Sequence, residues 1–432
     1  MTKPLRIALA GLGTVGGGVI RLLDENGALI ARRAGRPIEI VAVSARDRSK
    51  DRGVDISRFA WVDDTTALAG LDVDVVVELV GGSDGPALTL ARTTLAAGKG
   101  FVTANKAMIA HHGLELSRAA EASGAALKFE AAVAGGVPVI KGLREGAAAN
   151  AIDRVYGILN GTCNFILSKM EAEGRDFADV LAEAQALGYA EADPTFDIDG
   201  VDAAHKLAIL ASIAFGTQPA FGDVAASGIR HVLATDIAEA EALGYRIRLL
   251  GLADHGAGGL FQRVHPHLVA VSHPLAHVTG ATNAVVAEGN YVGRLLFQGA
   301  GAGDGPTASA VVADLIDIAR GEFGPAFAMP ADALAAEAPA DPGERRGRAY
   351  VRFAVADKVG VLAEIAAAMR DAGVSIESLI QRGSSGDDGV GGSVFVVIVT
   401  HEGPERAVAQ ALERLRGSQS LTGQPLWMHI LG

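Results

Sequence analysis

The stretch RIALAGLGTVGGGVIRLL, residues 6–23, decides the fold. Arg6–Ala10 reads as a short buried strand and Val15 to Leu23 as an amphipathic helix, with Gly11-Leu12-Gly13-Thr14-Val15-Gly16 at the junction. Strand, G-x-G-x-x-G and helix in that order make the dinucleotide-binding fingerprint of a doubly wound α/β sheet. Each glycine has its own task. Gly11 makes the tight turn, Gly13 lets the backbone approach a pyrophosphate, and Gly16 lets helix and strand pack closely. A glycine-rich turn without a ligand is the bland alternative, and the flanking elements favour the nucleotide.

Downstream, Ile38–Val43 reads as the second strand, followed by Ser44-Ala45-Arg46. An NAD enzyme usually places Asp or Glu there for the ribose hydroxyls, whereas an arginine suits a 2′-phosphate. Arg48 and Lys50 are possible helpers, and the adjacent Asp47 keeps NAD(H) open as a second carrier. NADP(H) is the expected one. Asp74–Leu79 is a third strand, ending in Val80-Gly81-Gly82-Ser83, and Phe101–Thr103 a fourth, ending in Ala104-Asn105-Lys106. Strand ends at this edge face the ligand crevice, so Lys106 is expected at cofactor or substrate and not as a snorkelling surface lysine. Leu127–Glu130 reads as a fifth strand running into AAVAGGVP, residues 131–138. That segment is no regular helix. A ring of backbone carbonyls around a monovalent cation and a plain crossover between domains both fit it.

Composition bounds the rest. At 432 residues, 49% apolar and 20% charged, the chain is a folded enzyme of two or three domains. A net charge of −12 without a basic, aromatic-interleaved stripe excludes a general nucleic-acid binder. Mean hydropathy is +0.28, yet the longest apolar candidate, Leu207–Phe215, is too short to span a bilayer. The N-terminus lacks a signal-peptide layout, and the single cysteine, Cys163, fits a reducing cytoplasm.

From Ala151 the pattern becomes α+β. Arg154–Asn160 resembles a strand, Asn160-Gly161 a turn and Asn164–Glu171 a helix start; Asp176–Ala186 is helical and ends at Gly188. The acidic stretch EADPTFDIDGVDAAHKLAIL, residues 191–210, gathers Glu191, Asp193, Asp197, Asp199 and Asp202 ahead of Lys206. Asp202 and Lys206 are four apart and share a helix face. A solvated helix start is the bland reading, but a polar pocket with a lysine is what a nucleotide-dependent reductase needs. Leu243–Leu250 and Leu268–Val271 add strand and helix material. His265, His267, His273 and His277 lack a recognisable metal-ligand spacing. Residues 298–307, QGAGAGDGPT, form a second glycine-rich loop before a helix Ala308–Ala319, facing the cofactor or acting as a hinge back to the first domain. Phe327–Arg348 reads as a linker, and the last segment as a βαββαβ unit of regulatory or dimerising character.

The motifs GLGTVGGGV (11–19), TANKA (103–107), NGTCNFIL (160–167), GYAEADPTFDIDGVDAAHKLAIL (188–210) and QGAGAGDGPTASAVVAD (298–314) together resemble the homoserine dehydrogenase family of the three-part bacterial kind. The resemblance covers essentially the whole chain. It implies an N-terminal Rossmann domain (1–135, completed by about 300–325), an α+β catalytic and dimerisation domain (136–300), a linker (326–348) and a ferredoxin-like ACT domain (349–432). It implies the NAD(P)H-dependent, reversible reduction of L-aspartate 4-semialdehyde to L-homoserine, in threonine, methionine and isoleucine biosynthesis. Lys206 would give and take the proton at the aldehyde oxygen, with Lys106 at nicotinamide and substrate. Glu191 and Asp202, with Asp197, Asn160, Gly161 and Thr162, would hold the amino-acid substrate. The cofactor set would be Gly11, Gly13, Thr14, Val15, Gly16, Arg46, Lys50, Gly82, Ser83, Thr103, Lys106, Gly188 and Gly303. Backbone atoms of Glu130, Val133, Gly135 and Val137 correspond to the family's sodium site. A threonine effector and a homodimer or homotetramer follow from the same resemblance. Two departures stand out: Cys163 replaces a threonine, and the first ACT turn, usually D-x-P-G, reads Asp357-Lys358-Val359-Gly360.

Two other functions compete. A phosphorylating aspartate-semialdehyde dehydrogenase needs a thiol nucleophile, for which Cys163 is the single candidate. A non-enzymatic, nucleotide-binding amino-acid sensor would turn over no aldehyde, and the paired lysines and dense acidic loop argue against it.

Overall fold

The computed structural model describes residues 3–382 and 393–432. Strand β1 (Leu5–Ala10) turns at Gly11 into helix α1 (Thr14–Ala34). There follow β2 (Ile38–Ser44), β3 (Ala60–Trp61), β4 (Val75–Glu78), α2 (Pro86–Ala96), β5 (Gly100–Thr103), α3 (Lys106–Ser123) and β6 (Leu127–Lys128). These strands make one parallel sheet in the order β3-β2-β1-β4-β5-β6, the doubly wound arrangement. Ile7, Leu9 and Val75–Val77 are fully buried, as strands covered by helices on both faces must be. The register sets Ala10 beside Ser44 on one side and Glu78 on the other, with Thr103 beside Glu78. The glycine loop, the Arg46 segment, the Gly81-Gly82 loop and Lys106 therefore leave the sheet at one edge.

The second unit begins after α4 (Val139–Lys141). It comprises β7 (Ile152–Ile158), α5 (Gly161–Glu173), α6 (Phe177–Ala186), α7 (Thr195–Ile198), α8 (Val201–Phe215), β8 (Ala225–Ala226), α9 (Ala234–Ala242), β9 (Tyr245–Gly256), β10 (Gly259–Ala270), β11 (Thr282–Gly289) and β12 (Gly293–Ala300). Helix α8, apolar apart from Asp202, His205, Lys206 and Ser212, is buried from Asp202 to Ile213. Gly200 (φ 86°) and Gly216 (φ 67°) bound it in the left-handed region that glycine tolerates. It packs between α3 of the first unit and the sheet strands β7, β9 and β10.

Several expectations change here. Asn160-Gly161 is no turn: α5 starts at Gly161, and Asn160 caps it by accepting the Cys163 N–H at 2.8 Å. Leu243–Leu250 and Leu268–Val271 are two ends of one long antiparallel hairpin, β9–β10. Its charged and histidine positions broke the alternation that would have revealed it. Gln298–Ala300 belong to β12 and α10 (Asp304–Arg320) begins at Asp304, so the second glycine loop shrinks to residues 301–303. Glu130 opens a short 3-10 turn and does not extend β6.

Helix α10 returns to the first unit and lies on α1, where a Cβ at Gly18 would fall 2.1 Å from Asp304 Oδ1. The expected linker is a packed connection. Phe327 is fully buried with its ring 5.1 Å from Phe129, and Ala335 N–H donates to Gly216 O at 3.0 Å.

The chain ends in β13 (Arg346–Ala356), α11 (Val361–Asp371), β14 (Ile376–Arg382), β15 (Ser393–Thr400), β16 (Gly403–Pro404), α12 (Glu405–Arg414) and β17 (Leu426–Ile430). This is the expected βαββαβ unit, with strand order β17-β13-β15-β14. Its edge strand β17 pairs in parallel with β10, through His267–His429 and Leu268–Ile430, so its sheet continues that of the second unit. Among the described residues no helix is long and apolar enough to cross a membrane.

Candidate active site

The glycine loop behaves as its spacing predicts. Gly11 has φ 98°, and a Cβ there would meet Leu79 O at 2.6 Å; one at Gly16 would meet Gly11 O at 2.3 Å. A Cβ at Gly13 meets nothing within 4 Å, so open space lies over the N-terminus of α1, where a pyrophosphate fits. Thr14 and Val15 form the first turn of that helix. Arg46, Arg48 and Lys50 are exposed beyond β2. Asp47 is occupied locally, accepting the Ser49 N–H at 2.8 Å and hydroxyl at 2.7 Å, which hold its carboxyl below the usual range. Arg52 ties the segment down by donating to Leu12 O at 3.0 Å and Lys50 O at 2.6 Å, and it lies with Arg48 near the Trp61 ring.

Glu78 organises the next strand ends. Its fully buried carboxylate accepts the Val80 and Gly81 N–H groups at 2.7 and 2.9 Å and the Thr103 hydroxyl at 2.6 Å. Asn105 donates to Gly82 O at 2.6 Å and caps α3 by accepting the Met108 N–H at 3.0 Å. Gly82 (φ 88°) and Thr103 are thereby fixed, while Ser83 turns its hydroxyl to Asp84. Lys106 follows at the first position of α3.

On helix α8, Asp202 joins both lysines. Its Oδ1 meets Lys106 Nζ at 2.9 Å, and its Oδ2 accepts from Lys206 Nζ at 2.7 Å and from Asn160 Nδ2 at 2.9 Å. Lys206 also donates to Leu159 O at 2.8 Å, so two of its three N–H groups are engaged and one is left. Burial pushes the Asp202 carboxyl up, but Lys206, Lys106 and the two hydrogen bonds outweigh it and hold it well below the usual range. Asp197 accepts from the same Asn160 amide at 2.8 Å; burial and the charge of Asp202 raise its carboxyl.

The acidic stretch thus splits by role. Asp202 reaches both lysines, Asp197 shares the Asn160 amide with it, Asp193 closes its own turn by accepting the Thr195 N–H at 3.1 Å, and Asp199 pairs with Arg230 at 2.5 Å. Glu191 is exposed, and its carboxylate has no partner among the described residues. Gly161 lets α5 approach Ala281, whose carbonyl oxygen would lie 2.7 Å from a Cβ there, and Thr162 donates to Tyr189 O at 2.8 Å. Gly188 (φ 78°) ends the turn after α6, and Gly303 (φ 114°) precedes α10.

The crossover at 130–138 has two consecutive left-handed residues, Ala134 (φ 54°) and Gly135 (φ 48°). Glu130 O accepts from Val133 N–H at 3.4 Å and Val137 O from Val139 N–H at 2.7 Å. The Val133 and Gly135 carbonyls have no partner among the described residues. The Glu130 side chain accepts the Ile140 and Lys141 N–H groups at 3.0 and 2.8 Å. Burial and nearby Asp314 push its carboxyl up to about 7.

Cys163 is fully buried and donates its thiol to Asp197 O at 3.2 Å; burial and the neighbouring carboxylates push that thiol well above its ordinary range. That is the reverse of an activated nucleophile, and the phosphorylating-dehydrogenase reading falls with it. His265 and His267 lie at the β10–β17 seam, whereas His273 bonds the Tyr156 hydroxyl at 3.1 Å and His277 donates to Val271 O at 2.8 Å. Among the described residues no three His, Cys, Asp or Glu side chains converge on a metal position.

Sequence reading passed over Glu78, Arg52 and Asn105. Glu78 carried a signal, an acid directly after the apolar run Val75–Val77. Arg52 carried none, because the contact that ties it to the glycine loop, Leu12 O, lies forty residues away.

Comparison with known proteins fits this geometry. The family profile described as homoserine dehydrogenase matches residues 138–316, that of the homoserine dehydrogenase NAD-binding domain residues 11–130, and that of the ACT domain residues 349–417. The homoserine dehydrogenase of Pseudomonas aeruginosa is 45% identical over 98% of this chain and 97% of its own length; that of Neisseria gonorrhoeae is 46% identical over 95% and 94%. The crystal structure of a homoserine dehydrogenase from Thiobacillus denitrificans superposes with a TM-score of 0.92 at 42% identity, covering 99% of this chain and 98% of that one. A hyperthermophilic archaeal homoserine dehydrogenase in complex with NADPH gives 0.63 at 27% identity, covering 73% and 97%. With an NAD-binding domain, a lysine–carboxylate row and an ACT unit in one polypeptide, the chain belongs to the homoserine dehydrogenase family, NAD(P)-dependent oxidoreductases acting on a CH–OH group.

Proposed function

We propose that the reversible reduction of L-aspartate 4-semialdehyde to L-homoserine runs in this chain across the row Lys106–Asp202–Lys206. The observation that carries this is the unspent N–H of Lys206, whose other two are held by Asp202 and Leu159 O. A nicotinamide cofactor held by the glycine-loop domain would supply, or take back, the hydride at the carbon that bears the oxygen. Lys206 stabilises the alkoxide charge growing on that oxygen and transfers the proton. Asp202 holds both lysines in place, and Lys106 stands where the nicotinamide edge of the sheet meets the substrate. Glu191 and Asp197 pair with the substrate's ammonium group, supported by Asn160, Gly161 and Thr162.

Gly11, Gly13, Thr14, Val15 and Gly16 hold the pyrophosphate, with Gly82, Ser83, Thr103, Gly188 and Gly303 around the remainder. Arg46, helped by Lys50, takes a 2′-phosphate. The support for NADP(H) over NAD(H) is that Asp47, the acid that would bind a ribose hydroxyl, is already spent on Ser49. Backbone carbonyls of Glu130, Val133, Gly135 and Val137 make a sodium site, supported by the left-handed pair at 134–135. The cofactor unit spans 1–135 with 300–325, the catalytic and dimerisation unit 136–300 and the effector unit 349–432, joined through 326–348. Threonine is the effector we assign to the last unit, and a homodimer or homotetramer the assembly.

The test is reduced-nicotinamide absorbance with homoserine and either NADP or NAD. Absorbance growing only with homoserine, and faster with NADP, is the expected result. A flat trace from folded protein would overturn the reaction, and faster NAD reduction the Arg46 assignment. Adding threonine to the full-length enzyme should lower the rate. Deleting 349–432 is a poor substitute, because it strips the partner strand from β10 and leaves buried Arg263 and Asp236 without Glu405 and Arg352.

A further inference from the structure

Four aromatic rings converge beside Lys106, from four different elements. Phe196 in α7 lies 5.6 Å from His205 in α8 at an interplanar angle of 27°. His205 stacks on Phe221 at 4.0 Å and 13°, and His111 of α3 closes the group, 4.7 Å from Phe221. His111 Nε2 and His205 Nε2 are 3.3 Å apart, while His205 Nδ1 donates to Val201 O at 2.9 Å. With Nδ1 carrying that proton, neutral His205 offers Nε2 as an acceptor, so His111 donates. At the outer end, Lys106 Nζ lies over the Phe196 face, 5.7 Å from its centroid.

We propose that Phe196, backed by the His205–Phe221 stack, is a positioning residue for Lys106. The inference rests on the role given to Lys106 above. A lysine has a long flexible stem, and Lys106 has one carboxylate contact, Asp202 at 2.9 Å, with its side chain 31% exposed. One contact leaves the ammonium free to swing. The negative face of an aromatic ring attracts a cation within about 6 Å without consuming a directed N–H. Phe196 thus holds the ammonium from a second direction and leaves its donors for the substrate. Backing by His205 requires that ring to be uncharged, since a second cation would repel Lys106; burial lowers the His205 pKa and keeps it neutral. His111, on the helix that Lys106 opens, fixes that helix to α8 at a second point. The ring costs something, because Phe196 is 45% exposed, a large apolar surface left at the cleft mouth.

The test compares Phe196→Leu with Phe196→Tyr, each alone and combined with Lys106→Ala. Phe196→Leu should lower kcat roughly fivefold, the worth of one exposed cation–π contact. The KM for NADP should stay unchanged, and so should Tm, since the side chain is half outside the core. Phe196→Tyr, which keeps the ring face, should restore kcat to within about twofold of wild type. In the Lys106→Ala background Phe196→Leu should have no further effect. Wild-type kcat in Phe196→Leu beside a crippled Lys106→Ala overturns the inference and leaves the role of Lys106 standing. An equal loss from Phe196→Leu in both backgrounds also overturns it. Near-wild-type activity of Lys106→Ala itself overturns the underlying role of Lys106 instead.

Discussion

Around Asp202 and along the β10–β17 seam the chain buries comparable sets of ionisable side chains, and the two differ in what remains unspent. At the seam, Arg263 gives Glu405 two hydrogen bonds, at 2.9 and 2.6 Å, and donates to His429 Nε2 at 2.9 Å. His267 and His265 each donate Nδ1–H to a backbone carbonyl, at 2.7 and 3.0 Å. Burial keeps these imidazoles neutral. Around Asp202 the charges also balance internally, yet Lys206 retains an N–H, Asp197 has one donor, and Glu191 has none. Density of buried charge therefore does not mark an active site. Unused hydrogen-bonding valence does.

The sharpest way to break the comparison is to remove one carboxylate's charge in each region. Asp202→Asn should lower kcat by about 10³-fold, because it releases both lysines. Glu405→Gln should leave kcat within a few-fold and cost about 3 kcal/mol of stability, the usual penalty for a buried guanidinium deprived of its partner. Chemical denaturation beside steady-state rates measures both. Equal catalytic losses in the two variants would erase the distinction.

Acid should separate the regions next. Burial lowers the pKa values of His265 (to about 4), His267 and His429 below the ordinary 6.5. Between about pH 4 and 6.5 the unfolded chain then binds more protons than the folded one, so stability rises with pH and is lost as pH falls through that window. Glu130, pushed up to about 7, acts in the opposite sense as a single group. Asp202, held low, contributes only below the usual carboxylate range. Thermal melts should lose stability from pH 6.5 downward, and His265→Gln should flatten that slope. An unchanged slope would remove the seam as its cause.

Much of this was legible in sequence where the constraint is local. Gly16 is forced by the nearby Gly11 carbonyl, so the spacing of the two announced the loop. Asp202 and Lys206 share a face because four residues separate them. What was illegible is non-local. The joining of the ACT sheet to β10 depends on two strands more than a hundred residues apart, and Arg52 and Glu405 find their partners only after folding. The 326–348 segment misled by composition: it is rich in Ala and Pro, yet Phe327, Ala331 and Leu334 are buried. Phe196 sat unremarked between conspicuous acids.

Two smaller effects sharpen the cofactor and thiol readings. Arg46→Asp should raise the KM for NADP roughly tenfold and that for NAD much less, the loss of one charge-assisted phosphate contact. Cys163→Ser should stay within about threefold of wild-type kcat, since the thiol is a buried donor to Asp197 O and no nucleophile. Abolished turnover in a folded Cys163→Ser enzyme would revive the nucleophile reading.

The most direct test is the single-turnover oxidation of homoserine by Lys206→Ala, with NADPH affinity measured on the same preparation. If Lys206 carries the proton, the rate should fall by about 10³-fold while NADPH binds as tightly as to wild type. A rate within a few-fold of wild type would show that the reaction does not pass through Lys206.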